Sequence, residues 1–266
     1  MRVKLTVAYD GTDFVGWQRQ SLPGANNRSV QGELEHACRR LLKQNVSVQG
    51  AGRTDSGVHA LGQVASFEAE LRLPLEQLKY ALNNLLPPDV RVLQAEQVNS
   101  DFHARFSAKT KEYRYYLASG RQAGAFDYRY AWFCPYALDL TAMQQASALL
   151  TGEHDFRTFC GKSAVVKTYV RTLYAAEIER CVAQNVPQHL AALASSGELY
   201  CFRVAGNGFI YKMVRLLCGA LVKVGAGKLS CEDIAAGLAN HGEQPMAPAA
   251  PAGGLYLYSI GYEEAN

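Results

Sequence analysis

Val3, Leu5, Val7 and Tyr9 alternate with Arg2, Lys4, Thr6 and Ala8, the two-residue period of a half-buried strand with one polar face. From Ser29 the period lengthens, with Val30, Leu34, Ala37, Cys38, Leu41 and Leu42 on one side of a helix. A strand is expected from about Gln63 to Ala69. Pro74 then opens a second helix with Leu75, Leu78, Leu82 and Leu85 on one side. LLPPD (85–89) stops it, because proline cannot continue a helix, and a strand follows from Val90 to Val98.

Beyond residue 105 the same materials recur. Segments rich in Tyr, Phe and Val predict strands at 112–118, 128–134, 172–180, 199–205 and 255–262. Helical periods cover 139–150, 208–224 and 230–240, the last opened by Ser230 and Asp233 in the arrangement of a capping box. HGEQPMAPAAPAGG (241–254) reads as a loop, since a strand follows it. No fixed-period repeat occurs, and strands and helices mix without strict βαβ alternation, which predicts an α+β architecture. The expected division is 1–105 and 106–266.

GAGRTDSGVHA (50–60) fits neither pattern. Its glycines weaken a helix and add nothing to a strand. It reads as a loop whose backbone turns tightly or lies close to something large, and it carries Arg53, Asp55 and His59.

Two other short matches fail on their own terms. VGAGKLS (224–230) has Val222 where a phosphate-binding loop needs its first glycine, and Leu229 after the lysine, so a helix end is expected there. TDSG (54–57) resembles half of an aspartic-protease site, but that chemistry shares one proton between two such aspartates, and YDGT (9–12) has the wrong order.

Bulk composition narrows the class. In 266 residues, 48% hydrophobic and 19% charged, there is material for a folded core. Seven cysteines without a C-x-x-C pair suit neither a zinc site nor a disulfide framework, and are expected to be small buried hydrophobes in a reducing compartment. With no signal-like apolar run at the amino terminus and no membrane-length apolar stretch, a cytoplasmic location is expected.

Net charge is only +3, yet the cations are grouped. Residues 102–121 hold Arg105, Lys109, Lys111, Arg114 and Arg121 against the single acid Glu112, interleaved with Phe102, Phe106, Tyr113, Tyr115 and Tyr116. Residues 157–176 add Arg157, Lys162, Lys167 and Arg171 without an acid, and residues 202–231 add Arg203, Lys212, Arg215, Lys223 and Lys228, again without one. One such run is usually a solvated face. Three, with aromatics among them, point to a polyanion that offers bases to stack on, which is nucleic acid. Arg215 falls among the apolar positions of its helix, where a guanidinium needs an anionic partner. Asp55 would serve, and a purely structural ion pair is the alternative.

Taken together, YDGTDFVGWQRQ (9–20), GAGRTDSGVHALGQV (50–64), FHARFSAKTKEYRYYL (102–117), GEHDFRTF (152–159), GNGFIYKMVRLLCGALVKVG (206–225) and GGLYL (253–257) resemble, in order, the motifs of the tRNA pseudouridine synthase A family. The resemblance implies isomerisation of uridine to pseudouridine in the anticodon stem-loop of tRNA, at positions 38–40. It implies no cofactor, metal or nucleotide. It also implies a mixed, mainly antiparallel central sheet spanning two similar halves, with helices packed on it and an active cleft between them, in a homodimer that grips tRNA. The family aspartate falls on Asp55, as nucleophile at C1′ or as the base that takes the C2′ proton, the base-flipping arginine on Arg53 and the base-stacking tyrosine on Tyr113. Leu255 takes the apolar position beside the uracil, and Arg215 is the candidate partner of Asp55. Arg105, Lys109, Lys167 and Arg171 are the expected substrate-binding cations of the basic runs. His59 is expected only to hydrogen-bond within its loop. Ser56 stands where alanine is frequent, and Ala183 to Gly197 is expected to be a surface excursion. Rival readings are a tRNA-binding, chaperone-like protein without catalysis, and a glycosidase. The latter lacks the second carboxylate motif that such chemistry normally needs.

Overall fold

The structure, a computed structural model, describes residues 1–20, 28–125, 127–161, 166–239, 242 and 244–263. Within it the chain divides into two units, Met1–Lys111 with Tyr256–Asn266, and Glu112–Leu255.

The first unit is built from β1 (Arg2–Tyr9), α1 (Val30–Leu42), β2 (Gln49–Gly50), β3 (His59–Glu68), α2 (Leu75–Asn83), β4 (Val90–Val98) and the start of β5 (Ala108–Ser119). In β1 the alternation is realised as drawn, with Val3, Leu5 and Val7 fully buried and Tyr9 nearly so. Each such apolar side chain contributes about 1.5–3 kcal/mol by leaving water. Helix α1 starts where the Ser29 side chain accepts the Gly32 N–H, and it ends at Lys43 in the left-handed region. In α2, Pro74 is the cap rather than the first helical residue, and Leu78 and Leu82 form the buried side.

Strand β3 begins four residues earlier than its pattern suggests. Nearly all of its residues are buried, because β1 flanks it and both of its faces are covered, so alternation is erased. The strand order is β4-β1-β3, with β2 on the end of β3.

The second unit continues β5 and adds β6 (Trp132–Cys134), α3 (Leu140–Ala148), β7 (Gly152–Asp155), β8 (Val170–Arg180), α4 (Ala191–Ser195), β9 (Leu199–Gly206), α5 (Met213–Gly225) and α6 (Cys231–Ala239). Its order is β5-β9-β8-β7, with β6 on β5. The last strand, β10 (Leu255–Tyr262), returns to the first unit and pairs in parallel with β3, Tyr256 opposite His59. The β1/β3, β1/β4, β2/β3, β7/β8 and β8/β9 pairings are antiparallel, while β10/β3 and β6/β5 are parallel. Ten strands in mixed, mostly antiparallel pairing and six α-helices among the described residues make an α+β protein.

Three expectations are corrected. The strand expected over 128–134 shrinks to three residues, because Tyr130 N–H bonds to Asp127 O and closes a turn before it. Helix α5 starts at Met213, not 208, after Lys212 takes a left-handed φ of 59°. The segment 183–197 is no plain excursion. It folds into short helical turns that bury Leu190, Leu193 and Ala194.

The capping box forms as drawn, with Ser230 N–H on Asp233 Oδ2 at 2.8 Å and Asp233 N–H on Ser230 Oγ at 3.2 Å. VGAGKLS is a helix end, with Gly227 at φ 67° and Lys228 N–H bonded to Lys223 O. All seven cysteines are free thiols, six of them buried, and burial pushes Cys38 up to about 12 and Cys134 to about 11. No helix among the described residues is long and apolar enough to cross a membrane. The expected cation Lys162, the last residue of the helix drawn to 240, and residues 241 and 243 of the following loop lie outside the described residues.

Candidate active site

The loop between β2 and β3 carries Arg53, exposed, and Asp55, half-buried. Its backbone is gripped by the segment that follows β1. Trp17 N–H donates to Thr54 O at 3.1 Å, Gly57 N–H to Phe14 O at 3.4 Å, and the Ser56 hydroxyl to the same carbonyl at 3.1 Å. Val58 N–H closes a turn onto Asp55 O at 3.2 Å. The two motifs at 9–20 and 50–64 are therefore one structure.

Glycine is required on both sides of this contact. Gly16 has φ 117°, and a Cβ there would sit 2.6 Å from Thr54 O. At Gly50 a Cβ would lie 2.4 Å from the Trp17 ring. The large object that the glycine-rich stretch approaches is, at this position, the buried indole of Trp17.

Beneath the loop lies a buried polar chain that the sequence pattern conceals. Tyr9 OH and Thr54 Oγ1 are 2.8 Å apart, and Gln63 Nε2 donates to Gly52 O at 2.8 Å and to Tyr9 OH at 3.5 Å. All three side chains are at least nine-tenths buried, and burial pushes the Tyr9 phenol up to about 12, against the lowering by Thr54 and Gln63. Tyr9 occupies an apolar position of β1 by count, and only the fold reveals its hydroxyl as a prop for the residue before Asp55. Lys111 is a second prop: its ammonium donates to Ala51 O at 2.7 Å. Burial, and secondarily the Arg105 charge, lower the Lys111 ammonium to about 8.

His59 bonds beyond its own loop, its Nδ1 accepting the Gly11 N–H at 3.0 Å while its ring stacks on Tyr256 at 4.7 Å. Asp10 caps its own turn, accepting from Thr12 N–H at 3.0 Å and Thr12 Oγ1 at 2.6 Å. Arg105 and Lys109 are both exposed, and Lys109 lies 3.5 Å from Glu263.

The second unit holds the remaining predicted residues. Tyr113 is buried in β5 with its ring against Phe209 at 5.0 Å, nearly edge-on. Phe209 is positioned by the Gly-Asn-Gly turn, where Asn207 N–H bonds to Thr172 O and Thr172 N–H bonds to Asn207 Oδ1, each at 3.1 Å. Arg171 donates to Thr168 O at 2.9 Å and Val170 O at 2.6 Å, and partial burial lowers its pKa. Lys167 is exposed. Leu255 is 6% exposed and follows Gly254, where a Cβ would lie 2.6 Å from the Tyr115 ring.

Arg215 has a structural duty that sequence reasoning did not foresee. Its Nε donates to Ala250 O at 2.7 Å, and Ala250 N–H returns a bond to Arg215 O at 2.9 Å. Lys223 Nζ adds a bond to Met246 O at 2.9 Å, so α5 holds the proline-rich loop that leads to Leu255. Among the described residues no group of three or more His, Cys, Asp or Glu side chains is placed to hold a metal ion.

Comparison with known proteins gives the family of the chain. The profile of the tRNA pseudouridine synthase family matches residues 5–107 and 146–263. A tRNA pseudouridine synthase A from Bacillus pumilus (strain SAFR-032) is 43% identical over 265 residues, covering 99% of this chain and 100% of the relative. The protein of the same name from Halalkalibacterium halodurans is 44% identical over 255 residues, 96% of this chain and 90% of its own. That from Thermodesulfovibrio yellowstonii is 37% identical over 262 residues, 98% of this chain and all of its own. The chain belongs to the tRNA pseudouridine synthase family and is, as such, an isomerase.

Proposed function

We propose that this protein converts uridine to pseudouridine in the anticodon stem-loop of tRNA, at positions 38–40, with Asp55 as the reacting carboxylate. The observation that carries the reading is the held backbone on both sides of Asp55, through Thr54 O, Ser56 Oγ and Gly57 N–H. A half-buried carboxylate on so fixed a loop has little ordering left to lose when substrate arrives, which supports the reading.

In the reaction the N1–C1′ bond breaks, the uracil turns, and C5 bonds to C1′. The proton leaves C5, and N1 ends protonated. Positive character develops at C1′ as the bond breaks, and an ionised carboxylate either stabilises or attacks that carbon. Removal of the C2′ proton, giving a glycal-type intermediate, is the other use of the same group. Both demand an ionised Asp55, and Arg215 is its proposed charge partner.

The target base must leave its stack to be reached. Arg53, exposed on the same loop, holds the vacated space. Tyr113 stacks on the extruded base, and Leu255 offers a flat apolar wall along which it turns. Arg105, Lys109, Lys167 and Arg171 bind phosphates, shared between the subunits of a homodimer working in the cytoplasm.

The test is a pseudouridine assay on unmodified tRNA transcripts with wild-type protein and Asp55→Ala, with product mapped by position. Product within the anticodon stem-loop from wild type alone supports the reading. Product elsewhere rejects the target, turnover by Asp55→Ala rejects the carboxylate, and tight binding without product from wild type favours the non-catalytic tRNA-binding alternative.

A further inference from the structure

Phe106 is 75% exposed, on the turn that precedes β5. Exposure alone means little, since lone apolar side chains are common on surfaces. What distinguishes Phe106 is how firmly an exposed tip is held. Ser107 N–H donates to His103 O at 2.9 Å, and His103 N–H returns a bond to Ser107 Oγ at 3.0 Å. Inside that ring, His103 Nδ1 accepts the backbone N–H groups of both Arg105 (3.1 Å) and Phe106 (3.3 Å). Ala104 is anchored below, its N–H on Ser66 Oγ at 3.2 Å and its carbonyl accepting from Tyr262 OH at 2.6 Å.

Every backbone N–H from 103 to 107 thus has a partner. Turn tips usually keep several conformers, so this bracing removes the ordering cost of a contact before the contact forms. The Phe106 ring itself is flanked by the His103 ring, with centroids 4.4 Å apart, and by the Arg105 guanidinium at 5.6 Å. An exposed cation, Arg105, thus sits beside an exposed aromatic. An apolar protein partner would not choose that setting, whereas a polyanion with flat bases would.

We propose that Phe106 is a nucleobase-stacking platform of the RNA-binding surface, with His103 as its positioning residue and Arg105 neutralising an adjacent phosphate. The inference rests on the tRNA reading above and adds a base contact to it.

Binding to an unmodified tRNA transcript, and to heparin as a polyanion without bases, tests it. Phe106→Ala is expected to weaken tRNA affinity about tenfold or more, to leave heparin affinity unchanged, and to leave the salt dependence of tRNA binding unchanged. Phe106→Trp is expected to restore affinity, and Phe106→Leu is not. Arg105→Ala, by contrast, lowers the slope of log affinity against log salt by about one. Affinity of Phe106→Ala within twofold of wild type, full rescue by Phe106→Leu, or a parallel loss of heparin binding would overturn the proposal. Failure of the wild-type protein to bind tRNA would instead remove the reading on which it rests.

Discussion

The hydroxyls of Tyr9 and Thr54 lie 2.8 Å apart, buried beneath the loop that carries Asp55. The bond links the last residue of β1 to the residue before the proposed nucleophile, so the phenol supports the loop without facing the substrate. Tyr9→Phe keeps the ring and deletes that support together with the longer bond from Gln63 Nε2 at 3.5 Å. Leaving the Thr54 hydroxyl without it is expected to lower stability by about 1–2 kcal/mol. Turnover is expected to fall while KM for tRNA stays near wild type. Urea denaturation with steady-state kinetics checks both, and a variant of unchanged kcat would show that the loop needs no such prop.

Gly16→Ala tests the same loop from the other side. The new methyl would meet Thr54 O in a backbone conformation that L side chains rarely adopt. A stability loss of about 1–3 kcal/mol is expected, with activity lost even at temperatures where the variant is folded. Thermal melts with parallel assays decide this. Full activity in the folded variant would contradict the close approach.

Lys111 has a pH signature. Its folded pKa of about 8 lies below the ordinary 10.5, so between those values the unfolded chain binds more protons than the folded one. Stability from this group therefore rises as pH climbs from about 8 to 10.5, by at most about 1.4 kcal/mol per pH unit. Tyr9 works oppositely. Its folded pKa of about 12 exceeds the ordinary 10.0, so its contribution is present below pH 10 and is lost as pH rises towards 12. Denaturation curves for wild type and Lys111→Met should diverge in slope above pH 8. Parallel curves through that window would refute the buried ammonium.

Arg53→Ala is expected to reduce turnover more than tRNA affinity, because the proposed contact forms chiefly once the base has left its stack. Stopped-flow fluorescence of a base analogue at the target uridine follows the extrusion directly. Rapid and complete extrusion in the variant would sink the role given to Arg53.

The sequence was most legible where one local rule decides the outcome. The limits of β4 match the expected strand to the residue, and Ser230 and Asp233 form the box their spacing predicts. It was least legible where long-range packing overrides local pattern. Burial of both faces hid the start of β3, and a backbone turn at Asp127 consumed most of an aromatic-rich strand. At the site, Asp55 and Arg53 stood out through their glycine-rich setting and family motif. Tyr9 and Gln63 did not, since each props a loop distant in sequence and counts in its own strand as one more buried position. Lys111 looked like one cation in a basic run, and only the Ala51 carbonyl beside it separates it from the others.

Strand β10 bears on how this protein is made. The sheet beside the Asp55 loop includes Tyr256 and Leu257, paired with His59 and Ala60. A ribosome reaches these residues only after synthesising the whole second unit. The nascent first unit must therefore wait, with one edge of β3 uncovered, while the rest of the chain emerges. Pairing across so long a separation is slow, and an open strand edge invites wrong partners in the meantime. Catalytic competence is thus acquired late in biogenesis, and a chain interrupted before residue 256 would have the proposed nucleophile but an unfinished sheet beneath it.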